Sequence, residues 1–459
     1  CSSDLKMKNT DILIVGGSAA GLTTAITARR YRPEKEITIV RTEEQVVVPC
    51  GIPYIFGSID SPEDDIISDG VLEKHDINLE INEVTSINKE AKTVKIKSGD
   101  EIGYDKLVLA MGSSPLVPPI PGTDRENVFT VKKDVDYLAA MKESLKKVDD
   151  LVVIGGGFMG LEFADECSKI DSLNVTVIER LPYPLNLACD SEICKKVEDK
   201  LSERGIDILT GREAKELGGE DAVEYVEMEN GQRIDADAVI LSIGVKPRVD
   251  LALNAGLKAD STEGIWVDDF MRTNDEDIFA VGDCTRKKGY LSGEPRAVRL
   301  ASVATTEARV AGANLFGIRR RMNYPIGIFS TQFGDLAIGS AGRTEQEAKE
   351  MGIGVVATQA VATNRHPGSL PGSQEMGVKL VFEEDTGLLI GGQVYGGDAV
   401  GEKVNFIGAL IQHQMRADEI CTFQMGTHPL LTASPVGYQL INAAQKAATK
   451  LSKMRGGKG

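Results

Sequence analysis

Asp11-Ile12-Leu13-Ile14-Val15-Gly16-Gly17-Ser18-Ala19-Ala20-Gly21 runs an apolar segment straight into a glycine-rich turn. A short apolar run of this kind, ended by glycine, reads as a strand buried on both faces. A helical pattern from Leu22 to Tyr31 and a second strand, Ile37-Thr38-Ile39-Val40, follow it. Strand, turn, helix and strand make one βαβ unit of roughly 30 residues. The same grammar recurs at Leu151-Val152-Val153-Ile154, then Gly155-Gly156-Gly157-Phe158-Met159-Gly160, a helix to Ile170 and the strand Val175-Thr176-Val177-Ile178.

Both turns fit a dinucleotide-binding fingerprint. It asks for glycine at the turn, a small residue where backbone meets pyrophosphate, and glycine where helix meets strand. Gly16, Ser18 and Gly21 fill these places in the first turn, with Ala19 inside it and the N-terminus of the following helix aimed at the phosphates; Ser18 is small but not glycine. An acidic residue is expected at the end of the second strand to hold a ribose hydroxyl. That strand instead runs into Arg41, with Glu43 and Glu44 beyond. Either a glutamate takes the ribose, or Arg41 lies over the adenine or on a phosphate. The second turn fits completely through Gly155, Gly157 and Gly160, and its second strand ends in Glu179. A carboxylate there accepts from both ribose hydroxyls of NADH and repels a 2′-phosphate. Arg180 softens that preference, so NADH is expected ahead of NADPH.

Further along, Leu107-Val108-Leu109-Ala110-Met111-Gly112 ends a strand, and Pro115-Leu116-Val117-Pro118-Pro119-Ile120-Pro121-Gly122 is too rich in proline for helix and predicts an extended crossover. A similar strand and stop is Ala238-Val239-Ile240-Leu241-Ser242-Ile243-Gly244. Val281-Gly282-Asp283 puts an acid at a strand end, able to hold a polyol hydroxyl or to cap a helix. A helix is expected from Ala301 to Phe316. From residue 326 onward the pattern changes to short alternating strands, such as Val378 to Phe382 and Leu388 to Ile390. Two helices, Val404 to Met415 and Gln439 to Leu451, complete this part, which has no phosphate-binding turn.

A length of 459 residues suits about three domains. The net charge of −17, with no basic stripe, argues against a nucleic-acid partner. Seven cysteines at irregular spacing do not make a secreted disulfide framework or a metal motif, and predict a reducing, cytoplasmic setting. No apolar run is long enough to span a membrane. The opening Cys1-Ser2-Ser3-Asp4-Leu5-Lys6 reads as a tag remnant ahead of Met7 rather than a lipidated terminus.

In order and spacing, the Gly16 turn, Ala110-Met111-Gly112, the Gly155 turn, Ser242-Ile243-Gly244 and Gly282-Asp283 resemble the FAD-dependent pyridine nucleotide–disulfide oxidoreductase family. The resemblance implies an α/β fold with two Rossmann-like dinucleotide-binding domains and a C-terminal α+β dimerisation domain. Residues 8–120 and 247–325 would bind FAD, 121–246 NAD(P)H, and 326–459 would form a homodimer. Gly16, Ser18, Ala19, Gly21, Arg41, Ala110, Gly112, Asp283 and Ala301 are then expected at FAD, with Asp283 on the ribityl chain. Gly155, Gly157, Met159, Gly160, Glu162, Glu179 and Gly244 are expected at the nicotinamide dinucleotide.

The redox centre separates the branches of this family. Its glutathione and lipoamide reductases carry two cysteines, whereas Val48-Pro49-Cys50-Gly51-Ile52-Pro53-Tyr54-Ile55 has Ile55 where the second would stand. This resembles the single-cysteine branch of coenzyme A disulfide reductases, persulfide and polysulfide reductases, NADH oxidases and NADH peroxidases. The oxidases and peroxidases of that branch have a histidine in the first turn, where this chain has Ala19 and Ala20. Coenzyme A disulfide reductases have a tyrosine in a C-terminal stretch that here reads Gly426-Thr427-His428-Pro429. The resemblance therefore implies Cys50 as redox thiol and His428 as proton donor. The expected acceptor is a small persulfide, polysulfide or coenzyme A-type disulfide. Oxygen reduction through a Cys50 sulfenic acid, or electron delivery to a protein partner, are the alternatives, and sulfur transfer within one chain is not expected. Taken alone, Cys50 also reads as a buried core thiol. Cys284 is expected to lie under the flavin chain, and Tyr54 and Tyr438 to line core or cofactor.

Overall fold

The computed structural model describes residues 8–290, 293, 296 and 298–456; Cys1 to Lys6 lie outside them. The chain divides into two compact units. One holds the described chain up to Pro118, Thr130–Lys147 and Ile243–Pro325. The other holds Pro119–Phe129, Val148–Ser242 and the described chain from Ile326. A boundary thus falls inside the proline run, where the lack of backbone donors keeps the chain from joining either sheet.

The first unit is built on a sheet made of β1 (Lys8–Val15), β2 (Ile37–Arg41), β3 (Asn78–Ile81), β4 (Val84–Asn88), β5 (Thr93–Ile96) and β6 (Glu101–Leu109). Their order across the sheet is β3-β2-β1-β6-β5-β4, and the strand Ile278–Ala280 pairs with β6. β3, β2, β1, β6 and Ile278–Ala280 are parallel, while β4 and β5 add an antiparallel edge. Ile12, Leu13 and Ile14 are fully buried, as the unbroken apolar run requires of a central parallel strand. Helix α1 (Ala19–Tyr31) crosses from β1 to β2 and lies against the helix Ala301–Asn314. The approach is close enough that a Cβ on Gly312 would come within 2.7 Å of the Thr24 carbonyl oxygen. α1 starts three residues ahead of the expected Leu22, because Ser18 takes the extended N-cap position and the two alanines enter the first turn at no steric cost. The helix expected to Phe316 ends at Asn314, whose side chain turns back onto the backbone of Arg319 and Arg320.

In the second unit a five-stranded sheet runs in the order Ile206–Thr210, Asn174–Glu179, Asp150–Ile154, Ala238–Leu241, Val128–Thr130. The first four strands are parallel. The helix Phe158–Cys167 follows the glycine turn and stops short of the expected Ile170. A separate antiparallel sheet holds Ile328–Phe333, Leu336–Gly342, Leu389–Gly396, Glu375–Glu383 and Val355–Thr363, in that order. The helices Val400–Gln412 and Gln439–Gly456 pack on it. Two more short helices, Glu345–Glu350 and Ala417–Cys421, occur where only two helices were expected in this part. Segments of one or two turns carry too few residues for a helical period to register. No helix among the described residues is long and apolar enough to cross a membrane.

Candidate active site

The first glycine turn is shaped by close backbone contact. Gly16 has φ +111°, and a Cβ there would come within 2.3 Å of the Ala110 carbonyl oxygen at the end of β6. A Cβ on Gly21 would sit 1.9 Å from the Gly16 carbonyl oxygen, so the first turn of α1 rests on the loop. Ser18 caps α1 with its backbone alone, and no acid stands in the first helical turn. The amides at this end are therefore unopposed by protein carboxylates, as a phosphate site needs. Gly112 has φ +68° and open space where a side chain would project.

Asp283 stands in a single 3₁₀ turn, Gly282–Cys284, and its Oδ2 accepts from Ser113 Oγ at 2.9 Å. Gly282, at φ +78°, brings this turn to the first one: a Cβ there would lie 3.0 Å from that of Ala20. Ala301 opens its helix behind Leu300, again without a side-chain cap or an acid in the first turn. Gly16, Ser18, Ala19, Gly21, Ala110, Gly112, Asp283 and Ala301 thus belong to one unit, and the open space and uncapped amides in it fit a dinucleotide. Cys284 is fully buried, with Sγ donating toward the carbonyls of Leu109 and Val281.

The question left open at Arg41 has a geometric answer on the protein side. The guanidinium donates to both carboxylate oxygens of Asp69 at 2.7 Å and to the carbonyls of Glu43 and Glu44. Its stem lies against Gly17, where a Cβ would come within 2.5 Å of Cδ. The side chain is nearly fully buried, so it presents a wall of methylenes to the turn.

Sequence reasoning missed the pair beneath the Asp283 turn. Glu307 and Lys287 are both buried and meet at 2.8 Å. Glu307 Oε2 accepts from the amide of Gly282, and Lys287 Nζ donates to the Gly282 carbonyl. Burial pushes the Glu307 carboxyl upward against the pull of Lys287. A signal was present: Glu307 stands on the face of its helix that also carries Ala304, Ala308 and Ala311, all buried, and a lone acid there needs a partner.

Cys50 sits at the end of a stapled loop. Val47 bridges Ile66 in antiparallel fashion, Val48 N–H donates to the Asp65 carbonyl, and Ile67 N–H to that of Val46. Beyond it the 3₁₀ helix Ile52–Phe56 buries Ile52, Pro53, Ile55 and Phe56. Ile55, at the place a second cysteine would take, is core. Cys50 itself is exposed, against the buried-core reading of it. Cys167, Cys189, Cys194 and Cys284 are buried, and burial pushes each thiol up, to about 12 for Cys194 and about 11 for Cys284. Cys421 is half-buried and is raised by the same cause. Tyr54 is partly buried on the Ile52–Phe56 turn, and Tyr438 stacks under the ammonium of Lys403, 4.6 Å from its ring centre.

The second turn repeats the first. Gly155 has φ +114°, and a Cβ on Gly160 would lie 2.0 Å from its carbonyl oxygen. Gly157 caps the helix Phe158–Cys167 and has open space at its Cβ position, with Met159 partly buried in the first helical turn. Glu179 accepts from Gly156 N–H and from Leu181 N–H, each at 2.6 Å, which locks its carboxylate at the mouth of the turn. Gly244, at φ +111°, belongs to the first unit, where its carbonyl accepts from Leu116 N–H. His428 is exposed and belongs to the second unit; its Nδ1 accepts from Leu430 N–H at 3.2 Å. Among the described residues no cluster of His, Cys, Asp and Glu is suited to a metal.

Glu162 accepts from Thr331 Oγ1 at 2.7 Å, and burial pushes its carboxyl up to about 7. Between the ordinary carboxylate range and about 7, the folded protein holds a proton that the unfolded chain has lost, so stability falls as pH rises through that window. Glu162→Gln keeps the acceptor for Thr331 and removes the titration. At pH 8 the variant should exceed the wild type by about 2 kcal/mol in urea denaturation, and at pH 4.5 the two should coincide. Parallel curves at both pH values would remove Glu162 from the groups that titrate on folding.

Residues 10–308 match the profile of the pyridine nucleotide-disulphide oxidoreductase family, and residues 328–437 that of its dimerisation domain. A protein of Methanocaldococcus jannaschii named NADH oxidase is 34% identical over 453 residues, 96% of this chain and 99% of that protein. The NAD(P)H coenzyme A polysulfide/persulfide reductase of Pyrococcus horikoshii is 33% identical over 395 residues, 84% of this chain and 87% of that protein. Among solved structures, the NAD-dependent persulfide reductase from A. fulgidus superposes with a TM-score of 0.90 at 30% identity, over 97% of this chain and 84% of that one. With two glycine turns on parallel sheets, an antiparallel C-terminal sheet and both profiles matched in order, the chain belongs to the pyridine nucleotide-disulphide oxidoreductase family and is an oxidoreductase that uses FAD and NAD(P)H.

Proposed function

We propose that the chain carries electrons from NAD(P)H through FAD to Cys50 and on to a small persulfide, polysulfide or coenzyme A-type disulfide. The observation that carries this reading is the exposed, unresolved thiol: Cys50 faces solvent, and Ile55 at the resolving position is buried. When bound, FAD takes the hydride equivalent of NAD(P)H and returns the electron pair to sulfur. The chain's own part is to hold the two dinucleotides and the thiol. Ser18, Ala19, Gly112 and Ala301 offer open backbone to the flavin dinucleotide, Asp283 its second carboxylate oxygen, and Arg41 the methylene wall behind Gly17. Gly157, Met159, Glu162 and Gly160 form the nicotinamide side with Glu179. The Cys50 thiolate attacks one sulfur of R–S–S–R′, which forms Cys50–S–S–R and releases R′–S⁻. His428 supplies the proton that turns R′–S⁻ into the thiol. A homodimer is supported by the dimerisation-domain match, and a cytoplasmic setting by the irregular spacing of the cysteines.

The 34%-identical relative named NADH oxidase favours a second reading, in which Cys50 cycles through a sulfenic acid with oxygen as acceptor. NADH consumption without oxygen separates the two. Under the sulfur reading it responds to coenzyme A persulfide, polysulfide or coenzyme A disulfide; turnover only with oxygen would leave the oxidase.

Glu179 should set the donor preference. Glu179→Gln keeps the acceptor for one of the two amides and removes the charge that opposes a 2′-phosphate. The ratio of kcat/KM for NADPH to that for NADH should rise about fivefold, the effect of removing one repulsion worth about 1 kcal/mol. An unchanged ratio would place the discrimination elsewhere.

A further inference from the structure

Asp65 lies behind the redox loop with no cation paired to it among the described residues. Its backbone carbonyl accepts from Val48 N–H, which ties it to the strand that ends at Cys50. Its side chain turns in toward Gly51, the residue after Cys50. A Cβ on Gly51 would lie 1.8 Å from Asp65 Oδ1 and 2.9 Å from Oδ2, so only glycine admits the carboxyl at this distance. The residue is more than nine-tenths buried, and its Oδ2 has no hydrogen-bond partner among the described residues. A buried carboxylate with an orphaned oxygen is costly unless it is protonated, and burial pushes this carboxyl up to about 6.

The surroundings offer little charge compensation. The 3₁₀ turn Pro62–Asp65 packs against Ile52–Phe56, which contributes Tyr54, and against the helix Val135–Leu145, which contributes Asp136, Tyr137, Lys142 and Glu143. Lys142, the cation of that set, spends its ammonium on the carbonyls of Ile59 and Asp60. Glu63 and Asp64 on the turn itself add negative charge, and Asp64 is held by Ser61. The remaining titrating group on the loop is Cys50.

We propose that Asp65 is a positioning residue for Cys50: the two share one negative charge, the carboxyl holding its proton while Cys50 is a thiolate and giving it up once the sulfur enters a covalent bond. The proposal rests on Cys50 being the redox thiol. In the attack step the acceptor S–S bond breaks, Cys50–S–S–R forms, and R′–S⁻ leaves with the electron pair. His428 gives its proton to R′–S⁻, and the proton that Asp65 loses passes to water, so Asp65 and Cys50 together keep a charge of −1 before and after the attack. Two such groups titrate as a pair, in two steps that belong to neither alone.

The test needs no acceptor, so it fails or holds independently of the sulfur reading. The FAD-loaded full chain is alkylated with iodoacetamide from pH 4.5 to 9.5, and the rate at Cys50 is followed on its peptide by mass spectrometry. The wild type should show two inflections, the lower near 6. Asp65→Asn should follow a single-proton curve moved to lower pH, and react about fivefold faster at pH 7 because the opposing carboxylate is gone. Cys421 serves as reference and should not change. If Asp65→Asn misfolds, Cys167, Cys194 and Cys284 become alkylated, and the wild-type profile alone decides. A single-proton curve in the wild type, or a folded Asp65→Asn that matches it, overturns the proposal.

Discussion

Cys50→Ser should lower acceptor-dependent NADH consumption by about 10³-fold or more, the scale of loss when a nucleophile is removed. A serine hydroxyl stays protonated at neutral pH and cannot form or exchange an S–S bond, so no weaker version of the reaction remains. NADH should still bleach the flavin in a single anaerobic turnover, because neither glycine turn is touched. Folding stability should move by no more than about 0.5 kcal/mol, since the side chain is exposed and loses no volume that the core uses. Cys284→Ser is the counterpart: a fully buried sulfur replaced by a hydroxyl should cost stability and leave the acceptor kinetics of the folded fraction alone. A Cys50→Ser enzyme that retains a tenth of its rate with sulfur acceptors would end the proposed mechanism.

Gly16→Ala should produce a protein without flavin. Two penalties coincide at this position. At φ +111° a side chain is strained by about 1–3 kcal/mol, and the added Cβ would press on the Ala110 carbonyl oxygen at 2.3 Å. The oxygen belongs to the residue that follows β6, a central strand, and Ala110 N–H still donates to the Val15 carbonyl of β1, so it cannot retreat without disturbing the sheet. The turn must open instead, which moves the first amides of α1 away from the pyrophosphate they would hold. The flavin band near 450 nm should be lost from the purified protein, with destabilisation of several kcal/mol by calorimetry. Gly112→Ala separates the two penalties. Its φ is +68°, but nothing lies within 4 Å of the added atom, so it should cost about 1–2 kcal/mol and leave the sheet intact. Equal losses in the two variants would show that strain, and not the contact with Ala110, governs the Gly16 turn.

Much of this was legible in the residues because the features are local. A strand followed by Gly16-Gly17-Ser18-Ala19-Ala20-Gly21 can hardly be anything but a tight turn into a helix, since the positive φ at Gly16 and the contact of Gly21 with Gly16 involve neighbours in the chain. The same holds for Gly155 to Gly160. Element ends were read less well. α1 began early and the helix after Gly160 ended early, because caps depend on single side chains and on what the last turn meets. The short helices Glu345–Glu350 and Ala417–Cys421 were invisible, their length being set by packing in the C-terminal sheet layer.

By itself, then, the sequence determined the two dinucleotide turns, the parallel sheets behind them and the lone cysteine with Ile55 where a partner would stand. The turns and sheets follow from residue type at short spacing, and the place of Ile55 from the resemblance to the two-cysteine reductases. Only the tertiary structure decided that Cys50 is exposed while four other thiols are buried, that Arg41 spends its charge on Asp69, that Glu307 and Lys287 clamp Gly282, and that Asp65 lies against Gly51. The physical reason is common to all four. Burial and charge pairing are set by which distant segments share a volume, and a carboxylate such as Asp65 looks like any surface acid until the fold removes its water.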